Sequence, residues 1–481
     1  MAGLGHRIGD TVAVPGRGLR RLLLVVVVLV LAAGVSIASV LSLPGLARSL
    51  GLPADASSAD APAPVDFRPH LDAVGTAAPA PSAGGVATAL NGMVGGLGDL
   101  TGVVVDPATG TTLWSRGPTE PQVPASSTKL LTTSAALLTL DPTSRFSTTV
   151  VAGPTPDSVV LVGGGDPTLS SLPAGRESVY PGAAHLDDLA ARVAAARGPS
   201  APAIRTVYLD LGRYTGPPLA TGWDPADIAG GNLAPMVPVM LDGGRLDPTA
   251  VDGARTPDPG RTVGQQLARR LGAASATVTE GSAPTGAAVL GQVDSPPLDE
   301  LVRTALQNSD NVLAEAIGRE VARHAGAPAS FDGAASTVTR VLGEHGVDLG
   351  GVVLTDTSGL STVDRIPAAT LAAVLTPAAA PPGSADPRAA ALRPLVDALP
   401  VAGGGGTLAD RYGAGSAAYA ARGWVRAKTG TLTNTNALAG VVPDTDGRVL
   451  VFAFMSNGAD VLSSRPRLDA LAAALRACGC R

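Results

Sequence analysis

Lysine is almost missing from this 481-residue chain: of 35 basic residues, all but Lys129 and Lys428 are arginine. Cysteine is confined to Cys478 and Cys480, and the five histidines are scattered. No paired ligand spacing remains, so a dedicated metal site is not expected. Aromatic residues make up 3% of the chain, charged residues 16%, and the net charge is −5. A nucleic-acid protein would normally present a basic face, so that class is excluded. Gly and Pro are plentiful, at 60 and 41 residues, but no Gly-X-Y period accompanies them, which excludes collagen. With 45% hydrophobic residues, the chain has material for two or three domains and a sizeable core.

What is present begins with an uncharged apolar run at residues 22–43, preceded by Arg7, Arg17, Arg20 and Arg21 against a single Asp10. At about 1.5 Å per residue it is long enough for a ~30 Å hydrocarbon core. The positive-inside rule places residues 1–21 as a cytoplasmic basic tail, 22–43 as a single-pass signal anchor in the cell membrane, and everything after Pro44 outside. The rival is a cleaved signal peptide, whose apolar region would be about 7–15 residues with a small-x-small site behind it. The run is longer, and its exit, Pro44-Gly45-Leu46-Ala47-Arg48, is a poor cleavage site. Either reading exports the bulk of the chain. Residues 44–85, rich in Ala, Pro, Ser, Gly and Asp, read as a mobile tether. Cys478 and Cys480 close the chain, able to pair locally but remote from every motif that carries chemistry.

Beyond the tether, Gly102–Val105 and Thr111–Trp114 read as two strands around a turn at Asp106–Gly110. An apolar run from Leu130 to Leu138 reads as a buried helix entered at Ser126. Short strands and helices alternate over 150–285, with Val159–Val162, Leu186–Arg197 and Val207–Leu211 as examples. Leu298–His324 reads as a helix pair broken at Ser309-Asp310-Asn311. Trp424–Ala427, Ala437–Val442 and Arg448–Met455 read as antiparallel strands, and Leu468–Cys478 as a closing helix. Strands at both ends with helices between them predict an α/β domain, 86–152 and 286–481, interrupted by a smaller inserted domain at 153–285.

Both lysines sit in motifs. In Ser126-Ser127-Thr128-Lys129, positions i and i+3 share a helical face, bringing a hydroxyl and an amine within reach. Serine needs a base to become a nucleophile, and a desolvated lysine can act as one. Ser-x-x-Lys alone is weak evidence; about one lysine in fifteen would match by luck. Lys428-Thr429-Gly430-Thr431, in the first of the late strands, is rarer, and a lysine beside two hydroxyls suits a substrate carboxylate. The glycine reads as close approach of a ligand to the strand edge. Ser309-Asp310-Asn311 by itself reads as a helix cap. Taken in order, Ser-x-x-Lys, Ser-x-Asn and Lys-Thr-Gly form the three-motif signature of the penicillin-recognising serine enzymes.

The match extends further. Pro124–Thr132, Leu161-Val162-Gly163-Gly164-Gly165-Asp166-Pro167-Thr168-Leu169, Ser295–Leu298, Ala314-Glu315, Asp356-Thr357-Ser358-Gly359-Leu360-Ser361 and Gly406-Thr407-Leu408 resemble the D-alanyl-D-alanine carboxypeptidase/endopeptidase family of low-molecular-mass class C penicillin-binding proteins, serine peptidase family S13. The resemblance covers roughly residues 90–475. It implies a β-lactamase/transpeptidase-like fold with an antiparallel sheet and a helical subdomain, acting on peptidoglycan peptides and acylated by β-lactam antibiotics. It further implies that Ser126 is the nucleophile and Lys129 its base. Ser309 and Asn311 relay the proton and hold the substrate amide, while Lys428, Thr429, Gly430 and Thr431 bind the terminal carboxylate. The oxyanion would lie between the backbone N–H groups of Ser126 and Thr431. Two departures stand out: the insertion is shorter than in the best-known members, and Thr362 replaces an Arg that many members use on the stem peptide's diamino-acid end, with Arg365 as a substitute.

Two rivals are weaker. A class A β-lactamase needs a glutamate to activate the deacylating water, and Glu315, Glu320 and Glu344 lack that context. A catalytically inactive, membrane-tethered wall-binding protein would be expected to lose its lysines early in this background, yet both are present.

Overall fold

The computed structural model describes residues 78–480. Helix α1 (Ala83–Asn91) is capped by Ser82, whose hydroxyl accepts from the Gly85 N–H. The tether expected to run to residue 85 therefore ends at least three residues earlier: a side-chain cap satisfies one of the helix's unpaired N–H groups and starts the helix there. The span expected at 22–43 lies outside the described residues. Among the described residues no helix is long and apolar enough to cross a membrane.

Strands β1 (Asp99–Asp106) and β2 (Thr111–Arg116) follow, then the short β3 (Pro121–Gln122), a 3-10 turn at Ala125–Thr128 and α2 (Lys129–Thr139). The inserted segment contributes β4 (Ser147–Ala152), β5 (Ser158–Val162), α3 (Leu186–Arg197), β6 (Thr206–Asp210), α4 (Pro259–Arg270), β7 (Thr277–Glu280) and β8 (Val289–Asp294). Next come α5 (Leu298–Gln307), α6 (Asn311–His324), α7 (Phe331–Glu344), β9 (Ile366–Pro367), α8 (Ala368–Ala378) and α9 (Ala389–Asp397). The chain closes with β10 (Arg426–Leu432), β11 (Thr435–Pro443), β12 (Val449–Asn457) and α10 (Val461–Ala477).

The main sheet has the order β10-β11-β12-β1-β2 and is antiparallel throughout. Residues from the two ends of the described chain thus meet in one sheet, with Val104 opposite Phe452. Period-2 alternation gives the sheet two apolar faces. Phe452 and Phe454 point with Val104 into a core shared with Leu90 of α1 and Leu468 and Leu471 of α10. Val451, Ala453 and Met455 point the other way, toward Leu130 of α2, Leu371 of α8 and Ile317 of α6. This second core holds α2 and α6 against the sheet and so fixes where their N-termini lie.

A second sheet, ordered β7-β6-β5-β4-β8, is mixed: β5, β6 and β7 run parallel, and β4 pairs antiparallel with β5 and β8. Strands β4 and β8 belong to this sheet, so the inserted unit is one strand wider at each end than the predicted 153–285. Their pairing with each other brings its two ends together. Trp223, Leu233 and Met240 from the insertion pack with Val312, Ala316 and Phe331 of α6 and α7. At the C-terminus Cys478 and Cys480 are joined, and the Cys480 carbonyl accepts the Ser82 N–H.

Candidate active site

Ser126 sits in the 3-10 turn that feeds directly into α2, and Lys129 is the first residue of that helix. Ala125, just before the serine, has φ +47°. That left-handed conformation is costly for a residue with a Cβ, and such strain collects at functional sites where the surroundings over-determine it. Ser309 shares this property, at φ +54°. It occupies the bend between α5 and α6, directly ahead of Asp310, whose side chain caps α6 by accepting from the Leu313 N–H. The helix-cap reading of this motif therefore describes Asp310, while its neighbours face the cleft.

The cleft has a volume of about 740 Å3 and is lined by Ser126, Ser309, Asn311, Thr429 and Thr431, with Asn232 and Asp252 from the insertion and Arg411 and Arg465 opposite. Lys129 is fully buried at its base. Its Nζ lies 3.0 Å from Ser126 Oγ, 2.5 Å from Asn311 Oδ1 and 2.8 Å from the Ser358 carbonyl oxygen. The Asn311 amide is oriented by its own Nδ2, which donates to the Asn232 carbonyl at 2.9 Å. Both Asn311 Oδ1 and the Ser358 carbonyl are acceptors only. They therefore take the two N–H bonds of a neutral amine and leave its lone pair facing the Ser126 hydroxyl. Burial brings the Lys129 pKa down from 10.5 to about 8, against the opposing pull of Asp356, Asp310 and Glu315.

Lys428, on β10, is also fully buried. Its Nζ donates to Ser309 Oγ at 2.9 Å and to the Thr429 carbonyl at 2.7 Å. Burial, with the like charges of Lys129 and Arg411, holds its pKa well below the usual lysine value. A substrate carboxylate would supply the missing counter-charge. Thr429 and Thr407 share a hydroxyl–hydroxyl bond of 2.8 Å, and the exposed Thr431 hydroxyl lies 3.3 Å from Asn436 Oδ1. The structure thus gathers all eight predicted residues, with Gly430 against the turn that holds Ser126. Gly430 has a different reason from the one expected: a Cβ there would meet the Pro124 carbonyl at 2.7 Å and Ala125 Cβ at 3.1 Å. It is the turn carrying Ser126 that approaches the strand so closely.

Arg365 does not take the place of the absent arginine at 362. Its Nη1 donates to the Thr362 and Asp364 carbonyls of its own loop, so the guanidinium is spent locally and does not line the cleft. Several site residues went unread because no motif marks them. Arg245, Arg255 and Tyr180 of the insertion surround the buried Asp310, at 2.7, 3.7 and 2.8 Å. Burial alone would push the Asp310 carboxyl up, but the two guanidiniums hold it well below the usual carboxylate range. Among the described residues no group of acidic, His or Cys side chains could hold a metal ion. The three glutamates weighed for water activation are engaged elsewhere: Glu315 with Thr357, Glu320 with Arg213 and Glu344 with Arg340.

A half-exposed serine bonded to a buried lysine, with a Ser-x-Asn turn and a Lys-Thr-Gly strand closing the cleft, defines a penicillin-recognising serine enzyme. Residues 93–258 and 252–478 match the D-Ala-D-Ala carboxypeptidase 3 (S13) family, and the chain belongs to it. Carboxypeptidase DacB of Mycolicibacterium smegmatis is 48% identical over 424 residues, covering 87% of this chain and 90% of the relative. A D-alanyl-D-alanine carboxypeptidase of Actinomadura sp. is 30% identical over 459 residues, covering 77% and 79%. Penicillin binding protein 4 (dacB) from Haemophilus influenzae superposes with a TM-score of 0.64 at 18% identity, covering 80% of this chain and 97% of that one. A structure of that protein complexed with a β-lactam superposes at 0.58 and 19% identity. These two show the fold.

Proposed function

We propose that the chain is a serine-type D-Ala-D-Ala carboxypeptidase/endopeptidase that works on peptidoglycan stem peptides and cross-links through an acyl-enzyme on Ser126. The observation that carries the reading is the 3.0 Å contact between Lys129 Nζ and Ser126 Oγ, with the other two acceptors on that amine fixed. Neutral Lys129 takes the Ser126 proton as Oγ attacks the carbonyl of the penultimate D-alanine. Ser309, bonded to Lys428, passes a proton to the departing amine, and Asn311 holds the substrate amide. Lys428, Thr429 and Thr431 receive the terminal carboxylate in carboxypeptidase action. The oxyanion lies between the backbone N–H groups of Ser126 and Thr431, each such donor being worth ~10²–10³ in rate. Water then releases the acyl group. A β-lactam presents a strained amide to the same serine, and the bound β-lactam of the Haemophilus influenzae protein supports the same chemistry here.

The test is direct. Benzylpenicillin should label the protein at Ser126 alone, as read by peptide mass spectrometry, and Ser126→Ala should abolish both the adduct and D-alanine release from wall peptides. Label on another residue, or an unlabelled wild type, would sink the assignment.

The apolar run at 22–43 and its flanking arginines support an anchored, extracytoplasmic enzyme reaching its substrate over the Ala/Pro-rich tether. Full-length protein should therefore fractionate with membranes. A mature chain starting near residue 44 in the medium would replace the anchor by a cleaved signal while leaving export intact.

A further inference from the structure

Lys129 has one partner that is a backbone group outside the Ser-x-x-Lys, Ser-x-Asn and Lys-Thr-Gly motifs, the Ser358 carbonyl. Its direction is set by Asp356, two residues earlier and completely buried. Asp356 Oδ1 accepts the Ser358 and Gly359 N–H groups at 3.1 and 2.6 Å. Oδ2 accepts the Ser361 N–H at 2.8 Å and Trp223 Nε1 at 2.7 Å. One carboxylate therefore gathers three backbone donors of the four-residue stretch 358–361, plus an indole from the inserted segment. The flanks are pinned too: Glu315 accepts the Thr357 N–H and hydroxyl, Asp364 accepts those of Thr355, and the Thr132 hydroxyl of α2 donates to the Thr357 carbonyl. Gly359, at φ +78°, faces the Ala125 carbonyl so closely that a Cβ would overlap it. The loop is packed against the nucleophile's turn with no slack.

We propose that Asp356 is a positioning residue for the Ser126–Lys129 pair, its carboxylate folding residues 358–361 so that the Ser358 carbonyl fixes how the Lys129 amine faces the serine. The inference rests on Lys129 acting as the base for Ser126. Without the Ser358 carbonyl the amine keeps only Asn311 as a fixed acceptor and can turn its lone pair away from the hydroxyl. Charge gives the role a second signature. The groups acting on Lys129 are Asp356, Asp310 and Glu315, each raising its pKa, and its like-charged neighbour is Lys428. Behind them stand Arg245 and Arg255 on Asp310, Arg319 on Glu315, and Asp364 beside Asp356. Burial and the Asp356 charge push Asp364 up to about 9, so it is neutral at pH 7.

Benzylpenicillin acylation of the full-length protein, followed against pH, tests this. Wild type should be labelled at Ser126. Asp356→Asn, with its fold checked by thermal unfolding, should lower the limiting high-pH rate by about tenfold or more, because a donor-bearing amide now meets N–H donors. Its acid limb should also move down by about half a pH unit or more, since a charge that raised the Lys129 pKa is gone. A purely structural role would reduce the labelled fraction and leave the rate constant of the folded fraction at its wild-type value. A folded Asp356→Asn enzyme within threefold of wild type, or slower with an unmoved limb, would overturn the proposal. Should this variant not fold, Trp223→Phe decides. It keeps the charge and the edge contact with Phe331 but removes one donor. Acylation slower by about threefold or more is expected from it, and a wild-type rate would overturn the proposal. A wild type unlabelled at Ser126 would defeat the functional reading itself, a distinct outcome.

Discussion

Arg245 Nη2 and Asp310 Oδ2 lie 2.7 Å apart with both side chains excluded from water, joining the inserted segment to the turn that carries Ser309 and Asn311. Asn232 adds a second link through its carbonyl to the Asn311 amide. The insertion is therefore part of the wall of the cleft.

This link can be cut. Arg245→Met leaves Asp310 with the more distant Arg255 and strands a buried carboxylate, a loss of about 3–5 kcal/mol for a broken buried pair. The thermal midpoint should fall by several degrees, and penicillin labelling should weaken at temperatures where the variant is still folded. The defect should ease on acidification. Asp310 is held below the usual carboxylate range in the wild type, so its contribution is present above the unfolded value and lost only as pH falls through the lowered one. An unchanged midpoint and labelling rate would show that the seam does not hold the turn.

Much of this architecture is legible from sequence alone. The helix Leu186–Arg197 and the break at Ser309–Asn311 follow from periodicity and capping residues, because both are local. The extra strands of the insertion were missed because membership of a sheet is decided by pairing partners, here Thr149 with Val162 and Gln292. The last helix begins seven residues before the expected Leu468: Asp460 caps it at Val461, and Pro466 is carried within it. Lys129, Lys428 and their motifs announced themselves through rarity. Arg245 and Arg255 could not, since one arginine among 33 looks like any other until the fold places it. The stretch Asp356–Ser361 is legible as a family segment, but the contact of its Ser358 carbonyl with Lys129 is not.

Acylation and hydrolysis should rise with pH. Lys129 must be neutral to accept the serine proton, and its pKa is about 8, so kcat/KM should climb through an acid limb near that value. Glu315, pushed up to about 7 by burial and the Asp356 charge, gains negative charge just below this range and pulls Lys129 upward. The limb should thus be broader than one titration, as coupled groups produce. A pH–rate profile flat from 6 to 9 would contradict the role of Lys129.

Gly430→Ala should impair the enzyme without touching any reacting group. The added methyl meets the Pro124 carbonyl, which already accepts the Ser127 hydroxyl at 2.6 Å, and so pries β10 from the turn that presents Ser126. Labelling should fall by about tenfold or more, because small misplacements of reacting groups cost that much. Circular dichroism should stay native, since Gly430 pairs with Ala437 through backbone atoms. A fully active variant would show that the strand can retreat without consequence.

Lys428→Arg keeps a positive charge and follows the chain's own preference for arginine, yet it should fail. The ammonium sits in full burial, donating to Ser309 Oγ and the Thr429 carbonyl over 2.9 and 2.7 Å. A planar guanidinium is larger and cannot reproduce both contacts from one compact centre. It also cannot lose its charge, whereas burial and the neighbouring Lys129 and Arg411 hold the native lysine well below its usual pKa. Before substrate arrives, the arginine would thus add a permanent buried charge beside Lys129, lowering the Lys129 pKa further and pushing Ser309 out of line. Hydrolysis of a D-Ala-D-Ala peptide should lose at least about tenfold in kcat/KM, equivalent to ~1.4 kcal/mol of transition-state stabilisation. The acid limb should move to lower pH at the same time. Kinetics matching wild type would mean that the pocket tolerates either cation, and the retention of lysine at position 428 would need another physical reason.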